Sequence, residues 1–330
     1  MQNVLTQTLT PTAPPPHRIG PDARQPIDPD ALLTDWLASL ELRVRAGELS
    51  EMTRKTYMRG AQRFLSFTPS QHALAADAVL EWIAKERADG HSPAAINTWL
   101  AGARAFFDWT VATQRAPFNP TTGIRGAKRV GTTRQHKREE LTDTEVKRVL
   151  AAPNPATPEG ARDRAILALM AYTAARSIEL HRADLEHLQT EGGKLVLRVQ
   201  GKGRMTADEM LVIAHPEAEA ALRDWLAARG DAPGALFVSL SNATRGERLS
   251  LRALRGMVKS YYGLAGVRGE SKTTHSLRHS AITNAIRHGA PVQKVRAMAR
   301  HASIETTMIY YHELDRIENP AESFIRYDVE

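Results

Sequence analysis

Cysteine is absent from the 330 residues. Its absence excludes disulfides, zinc–thiolate and iron–sulfur sites, and a cysteine nucleophile. Nothing in the chain calls for an oxidising compartment. Long apolar runs are also missing. The longest, Ala165–Ala175, falls well short of the ~20 residues that span a bilayer as a helix. Met1–Pro29 lacks a basic start followed by an apolar stretch, so it does not read as a secretory leader. No internal repeat and no strong metal or nucleotide motif stands out. These absences leave a soluble, cytoplasmic protein for which neither metal nor cofactor is expected.

What is present is ordinary in amount and basic in balance. Apolar residues make up 42% and charged residues 25%, enough for packed cores and typical of globular chains. Lys and Arg exceed Asp and Glu by 44 to 37, a net charge of +7. That excess suits a polyanion partner without proving one. The length suits two domains.

The chain divides by composition. Residues 1–29 hold seven of the 18 prolines, which reads as a flexible arm. Residues 30–126 are helical in pattern, with four helices expected. Trp36, Leu37, Leu40 and Val44 recur at helical spacing, and Ser50 stands as an N-cap before Tyr57, Ala61, Phe64 and Leu65. Ser92-Pro93 starts a further helix, because proline at the first helical position loses no needed N–H. Behind it, Ile96, Trp99, Leu100, Ala103, Phe106, Phe107 and Val111 form a wide apolar stripe, the mark of a bundle core rather than a ligand box. The stretch 127–140 and its approach are basic: Arg125, Lys128, Arg129, Arg134, Lys137 and Arg138 come with no acid among them. Alone this is a solvated linker; in a basic two-domain chain it suits a strap along a phosphate backbone.

Thr142-x-x-Glu145 is a capping box that opens a second domain, 141–312. Ala161–Leu180 reads as one helix. Leu195–Val199 and Met210–Ile213 read as strands of a hairpin or small sheet, with Lys202 in the Gly201-Lys202-Gly203 turn. Helices are expected near 216–229, 249–263, 274–288, 291–300 and 303–312. The tail 313–330 is acidic and carries Phe324, Ile325 and Tyr327.

Taken singly, the polar residues of this domain are unremarkable. An arginine ending an apolar helix (Arg176) usually caps or solvates, a lysine in a turn (Lys202) is common, and a tyrosine on a helix is mostly core. Glu179 is spaced to orient Arg176. His275 and Arg278 share a helix face at i and i+3. Their order changes the weighting: Arg176, then Lys202 on a β-turn, then His275-x-x-Arg278, then His301, then Tyr310 nine residues on. This resembles the tyrosine recombinase (phage integrase) family, its Xer-like branch in particular, over roughly residues 30–312. Asn119-Pro120 also matches the family's exit from its first domain. The joint motif is specific although its parts are not.

The resemblance implies a mainly α fold with a small β-sheet in the catalytic domain: a helical core-binding domain followed by an α+β catalytic domain. It implies site-specific recombination of duplex DNA through a 3′-phosphotyrosine intermediate and a Holliday junction. Arg176 and Arg278 would fork onto the nonbridging oxygens of the scissile phosphate, and His301 would add a donor. Tyr310 would attack phosphorus. His275 would take the tyrosine proton, Lys202 would protonate the departing 5′-oxygen, and Glu179 would hold Arg176 or His275. No ATP is needed, since the covalent link conserves the phosphodiester energy, and no metal, since the arginines do the charge work. His275-x-x-x-His279 is spaced like a helical zinc pair, but Ser276 stands where the zincin glutamate belongs. Partners would be a specific DNA site and three further protomers, of this chain or of a related recombinase, with the tail either frayed or docked on a neighbour.

The sequence departs from the family pattern. Ala174-Ala175 replaces the usual Gly-Leu or Gly-Met before the first arginine, and the alanine is cheap if the backbone is helical. Arg300 stands where glycine usually precedes the histidine, adding bulk and charge beside the phosphate, either as an extra phosphate contact or as a change in the site's shape. Ala207-Asp208-Glu209 is acidic where a basic residue often follows the hairpin lysine. Tyr311 neighbours Tyr310, though spacing from His301 favours Tyr310. Two other readings remain: a type IB-like topoisomerase, and an inactive DNA-binding regulator of the same fold. Strand exchange between two sites separates the first from recombination, and covalent trapping separates both from the second.

Overall fold

The computed structural model describes residues 29–67, 76–128, 139–201, 206–269 and 271–318, the side chains of 29, 30 and 312–318 aside. The N-terminal arm, Lys202, Arg129, Arg134, Lys137, Arg138 and the end of the tail lie outside the described residues. The chain forms two compact units, Met1–Gly131 and Thr132–Glu330. Among the described residues, no helix is long and apolar enough to cross a membrane.

The described residues of the first unit form four helices: α1 (Pro29–Arg45), α2 (Glu51–Phe67), α3 (Ala76–Ala88) and α4 (Pro93–Ala112). Ser92 caps α4 by accepting from the Ala95 N–H, with Pro93 in the first turn. The α4 stripe is buried at Ile96, Leu100, Ala103, Phe106 and Phe107, against Trp36 and Leu40 of α1, Phe64 of α2 and Trp82 of α3. Aromatic rings meet edge to face, Phe64 on Trp82 at 5.4 Å and Trp36 on Phe106 at 5.3 Å between centroids. Glu86 is buried inside this bundle but satisfied. Arg63 donates to both its oxygens at 2.8 Å and the Trp82 indole donates at 3.0 Å. Glu86, Asp89 and His91 form a cluster with metal-like spacing, yet the arginine already occupies the carboxylate.

Helices α2 and α4 cross at glycines. A Cβ on Gly60 would lie 2.3 Å from the Trp99 carbonyl oxygen, and one on Gly102 would lie 2.4 Å from that of Tyr57. Backbone meets backbone here, so no side chain is able to yield. Gly102→Ala is expected to destabilise the protein by roughly 1–3 kcal/mol through overpacking, measured by denaturant unfolding. An unchanged midpoint would show that the helices slide apart at no cost.

The second unit opens with α5 (Asp143–Ala151), where the Thr142/Glu145 capping box forms as expected. Helix α6 (Pro158–Thr173) follows, buried almost all round. A short α7 (Ser177–Arg182) leads to an antiparallel sheet of β1 (Leu188–Glu191), β2 (Lys194–Val199) and β3 (Glu209–Ile213) in that order. Register pairs Leu195 with Ile213 and Val199 with Glu209. Then come α8 (Pro216–Arg229), α9 (Leu251–Leu264), α10 (Thr274–Arg287), α11 (Val292–Ala299) and α12 (Ile304–Glu318). The main core gathers α6, the sheet, α8 and α9 around Leu167, Leu197, Trp225 and Val258. A smaller, separate cluster joins Ala174, Ala281, Ile282, Ile286, Val295, Ala299 and Tyr310.

Two expectations are corrected. Residues 161–180 are not one helix: α6 stops at Thr173 because Ala174 turns left-handed (φ 52°, ψ 35°), and α7 begins anew after Arg176. Strand β1 was not foreseen, since Leu-Gln-Thr-Glu has no apolar alternation of its own and exists by pairing with β2.

Candidate active site

The break between α6 and α7 builds half of the site. Arg176 is extended and sits at the N-cap of α7. Three residues on, the Glu179 carboxylate turns back and accepts the Arg176 backbone N–H at 2.7 Å, satisfying one of the donors a helix start leaves open. The same carboxylate accepts Nη1 of Arg176 at 2.6 Å. Glu179 is thus fixed by the fold of α7 and in turn aims the guanidinium beside it. Arg176 remains about one-fifth exposed, while Glu179 is 1% exposed.

The other half comes from the α11–α12 junction. Arg300 is left-handed (φ 52°, ψ 48°) at the end of α11. Ala174 and Arg300 each have a Cβ in a conformation that costs such residues ~1–2 kcal/mol, so the surroundings must hold them there. The surroundings are three guanidinium groups. Arg176 Nη2 donates to the carbonyls of Arg300 at 3.0 Å and Ala299 at 3.3 Å. Arg278, on α10, donates to the carbonyls of Ala174 and Ala299. Arg300 donates to the Ala174 carbonyl at 2.9 Å, to Met298 at 2.5 Å, and to Glu179 Oε2 at 2.8 Å. Two main-chain oxygens, of Ala174 and Ala299, therefore each take two arginines.

Three positive charges surround one carboxylate. Burial alone would push the Glu179 carboxyl up. The charge and hydrogen bonds of Arg300, with the Arg176 N–H and charge, outweigh it and hold the carboxyl below its ordinary range. Arg278 is the counterpart: burial, then the like charges of Arg176 and Arg300, pull its guanidinium down to about 9, while Glu179 and Tyr310 act the other way. A buried surplus of cations is costly until an anion arrives.

The histidines and the tyrosine of the site come from α10, α12 and the turn before α12. His301 follows the left-handed turn, and its Nδ1 is 2.9 Å from the hydroxyl of Thr307. The Tyr310 ring, 5% exposed, lies near-parallel to that of His301 at 6.2 Å between centroids. Its hydroxyl is hydrogen-bonded to Nδ1 of His279. The neighbouring Tyr311 sends its hydroxyl elsewhere, to the carbonyl of Ala290 between α10 and α11.

Residues 139–316, more than half of the chain, match the phage integrase family. The chain belongs to that family, the tyrosine recombinases. It is accordingly an enzyme that acts on DNA. Tyrosine recombinase XerD of Pseudomonas aeruginosa is 29% identical over 274 residues, 80% of this chain and 87% of that protein. Tyrosine recombinase XerC of Actinobacillus succinogenes is 28% identical over 269 residues, 80% and 83% respectively. Among solved structures, the XerH recombinase in a post-cleavage complex with a palindromic difH substrate aligns with a TM-score of 0.68 at 20% identity, over 83% of this chain and 80% of that one. A lambda integrase tetramer on a Holliday junction aligns at 0.65 and 16% identity, over 91% and 79%. These two carry the fold: the mainly helical recombinase architecture with its small antiparallel sheet.

In this tyrosine recombinase the fold brings Arg176, Glu179, Arg278, Arg300, His301 and Tyr310 into one cluster. His275 sits half-buried in the first turn of α10, its backbone N–H capped by Thr273. Arg125 and Lys128 are exposed on the first unit. Ala174 is left-handed rather than helical, so alanine there is not cheap. Arg300 turns inward, its side chain 5% exposed, toward Glu179. Sequence reasoning gave no role to His279. Its signal was there: four residues after His275, it lies on the same helical face. Thr307 had no such signal, since only the turn before α12 brings it to His301.

Proposed function

We propose that Arg176 and Arg278 bind the scissile phosphodiester of a specific duplex DNA site, and that Tyr310 attacks it to form a 3′-phosphotyrosine bond. The observation that carries this reading is the cationic surplus, three arginines to the Glu179 carboxylate and the weaker influence of Glu209 on Arg300, beside a tyrosine hydroxyl. A phosphodiester brings one negative charge and its pentacoordinate transition state brings more, so preorganised guanidinium groups favour the transition state over the ground state. His301 supplies a further donor from Nε2, its Nδ1 being engaged by Thr307. Lys202, which falls between β2 and β3 in the sequence, protonates the leaving 5′-oxygen. Religation to another 5′-hydroxyl then exchanges strands through a Holliday junction, with four protomers on two sites. The exposed Arg125 and Lys128 begin the basic strap along the DNA backbone. The test is covalent capture: the protein is mixed with fragmented DNA in EDTA and denatured, and whatever stays attached is sequenced. Attached fragments sharing one sequence support the reading; an adduct that forms only with added metal overturns it.

The tyrosine has an ordinary pKa of ≈ 10 and must lose its proton to attack. The resemblance assigns the acceptor role to His275, but the ring hydrogen-bonded to the hydroxyl is that of His279. Geometry comes first in choosing a general base, and it favours His279. His279→Gln is expected to slow single-turnover cleavage by ~100-fold or more, the usual worth of such a group, and His275→Gln by less. The reverse order returns the role to His275.

A further inference from the structure

Arg300 is the part of this cluster that the cleavage reaction does not use. Its side chain is almost wholly buried and every hydrogen bond it makes runs inward, so it is no phosphate ligand. It is also expensive to keep, because a glycine would take the left-handed backbone at no steric cost. The contacts say what the arginine does there. Glu179 accepts four donors: Arg176 Nη1 at 2.6 Å and Arg300 Nε at 3.3 Å on one oxygen, the Arg176 backbone N–H at 2.7 Å and Arg300 Nη2 at 2.8 Å on the other. The Arg300 fork spans both oxygens and stops the carboxylate from rotating with the Arg176 side chain. Its Nη2 also reaches the Ala174 carbonyl, one of the two oxygens that seat Arg278.

We propose that Arg300 is a positioning residue for DNA cleavage: through Glu179 and the Ala174 carbonyl it fixes Arg176 and Arg278 in the geometry that receives the phosphate. The proposal rests on the reading of those two arginines as phosphate ligands. Arg300 also shares the charge of Glu179. Without it, Glu179 would hydrogen-bond Arg176 alone. With it, the carboxylate is shared between two hydrogen-bonded cations, and Arg176 keeps more of its positive potential for the DNA.

The test separates rate from affinity. Wild type, Arg300→Gly, Arg300→Met and Arg300→Lys, each as the full chain, are compared on a nicked duplex carrying the sequence recovered by covalent capture. Cleavage is measured in a single turnover at saturating duplex, and affinity by titration of the same duplex. Arg300→Gly and Arg300→Met are expected to cut about tenfold or more slowly, the scale of a slight misplacement of reacting groups, with affinity within about twofold. Arg300→Lys, which keeps the charge but not the fork, should recover only part of the rate. Arg300→Gly relieves the backbone, and melting curves show which variants are folded. Combined with Glu179→Gln, Arg300→Met should cost little beyond Glu179→Gln alone, because residues acting through one another are not additive. A rate unchanged in folded variants overturns the proposal, as does a loss seen in affinity, which would make Arg300 a DNA contact. So does strict additivity with Glu179→Gln. Failure of the wild type itself to capture any DNA overturns the reading of the site as well, and so differs from all of these.

Discussion

Tyr310→Phe is expected to bind DNA as tightly as the wild type and to form no covalent adduct with it. The substitution removes one oxygen. The ring stays in the small apolar cluster with Ile282, Ile286 and Val295, so the fold keeps its contacts and loses one hydrogen bond, to His279. A net loss of about 1 kcal/mol in stability is the scale for such a bond. Chemistry responds differently, because without the hydroxyl no bond to phosphorus forms. Covalent capture with gel-shift titration of the same fragments reads both quantities. Attachment persisting in Tyr310→Phe would move the nucleophile to Tyr311. The structure weighs against that: the Tyr311 hydroxyl donates to the Ala290 carbonyl, whereas it is the Tyr310 ring that lies beside His301.

The second large effect is on stability. Glu179→Ala leaves the buried guanidinium of Arg300 without its counter-charge and strips the first turn of α7 of its cap. Breaking a buried pair from one side costs about 3–5 kcal/mol, and for a unit of this size each kcal/mol lowers the melting temperature by roughly 2–4 °C. A fall of roughly 10 °C is therefore expected in thermal unfolding, and Arg300→Gly in the same chain should restore part of it. A change of only a degree or two would mean that water reaches Arg300 and replaces the carboxylate.

Acid makes the same point with a defined sign. The folded Glu179 carboxyl titrates below its ordinary range, whereas in the unfolded chain it titrates near ≈ 4.3. As pH falls, the unfolded state takes up the proton first. The stabilisation from this ionised group is complete above the unfolded value and is lost as pH drops through the folded one. Stability curves of wild type and Glu179→Gln should lie apart at neutral pH and converge on acidification.

Much of this molecule was legible because its signals are local. The Thr142 capping box, the Ser92-Pro93 start and the two hairpin strands each depend on a few neighbouring residues, and the structure has them where the residues put them. The ordered series from Arg176 to Tyr310 was legible for a different reason: its intervals match a family's. The break at Ala174 was not, because Ala-Ala inside an apolar run favours helix on local grounds. What overrides that preference is distant in sequence, the demand of Arg278 and Arg300 for the Ala174 carbonyl. The inward turn of Arg300 was hidden likewise, for its partner lies 121 residues earlier. His279 is visible in the sequence only through its zinc-like spacing from His275, which Ser276 argues against, and nothing local ties it to Tyr310.

The two carbonyls that each take a pair of arginines belong to Ala174 and Ala299. An acceptor made of side chain is lost with a single codon change, whereas an acceptor made of main chain is carried by every residue type. The sockets for the charged groups are thus written into the path of the polypeptide rather than into its lettering. Drift at positions 174 and 299 is then limited by bulk and by backbone conformation, not by polarity, and the seat outlasts the replacement of either residue by anything that fits the turn.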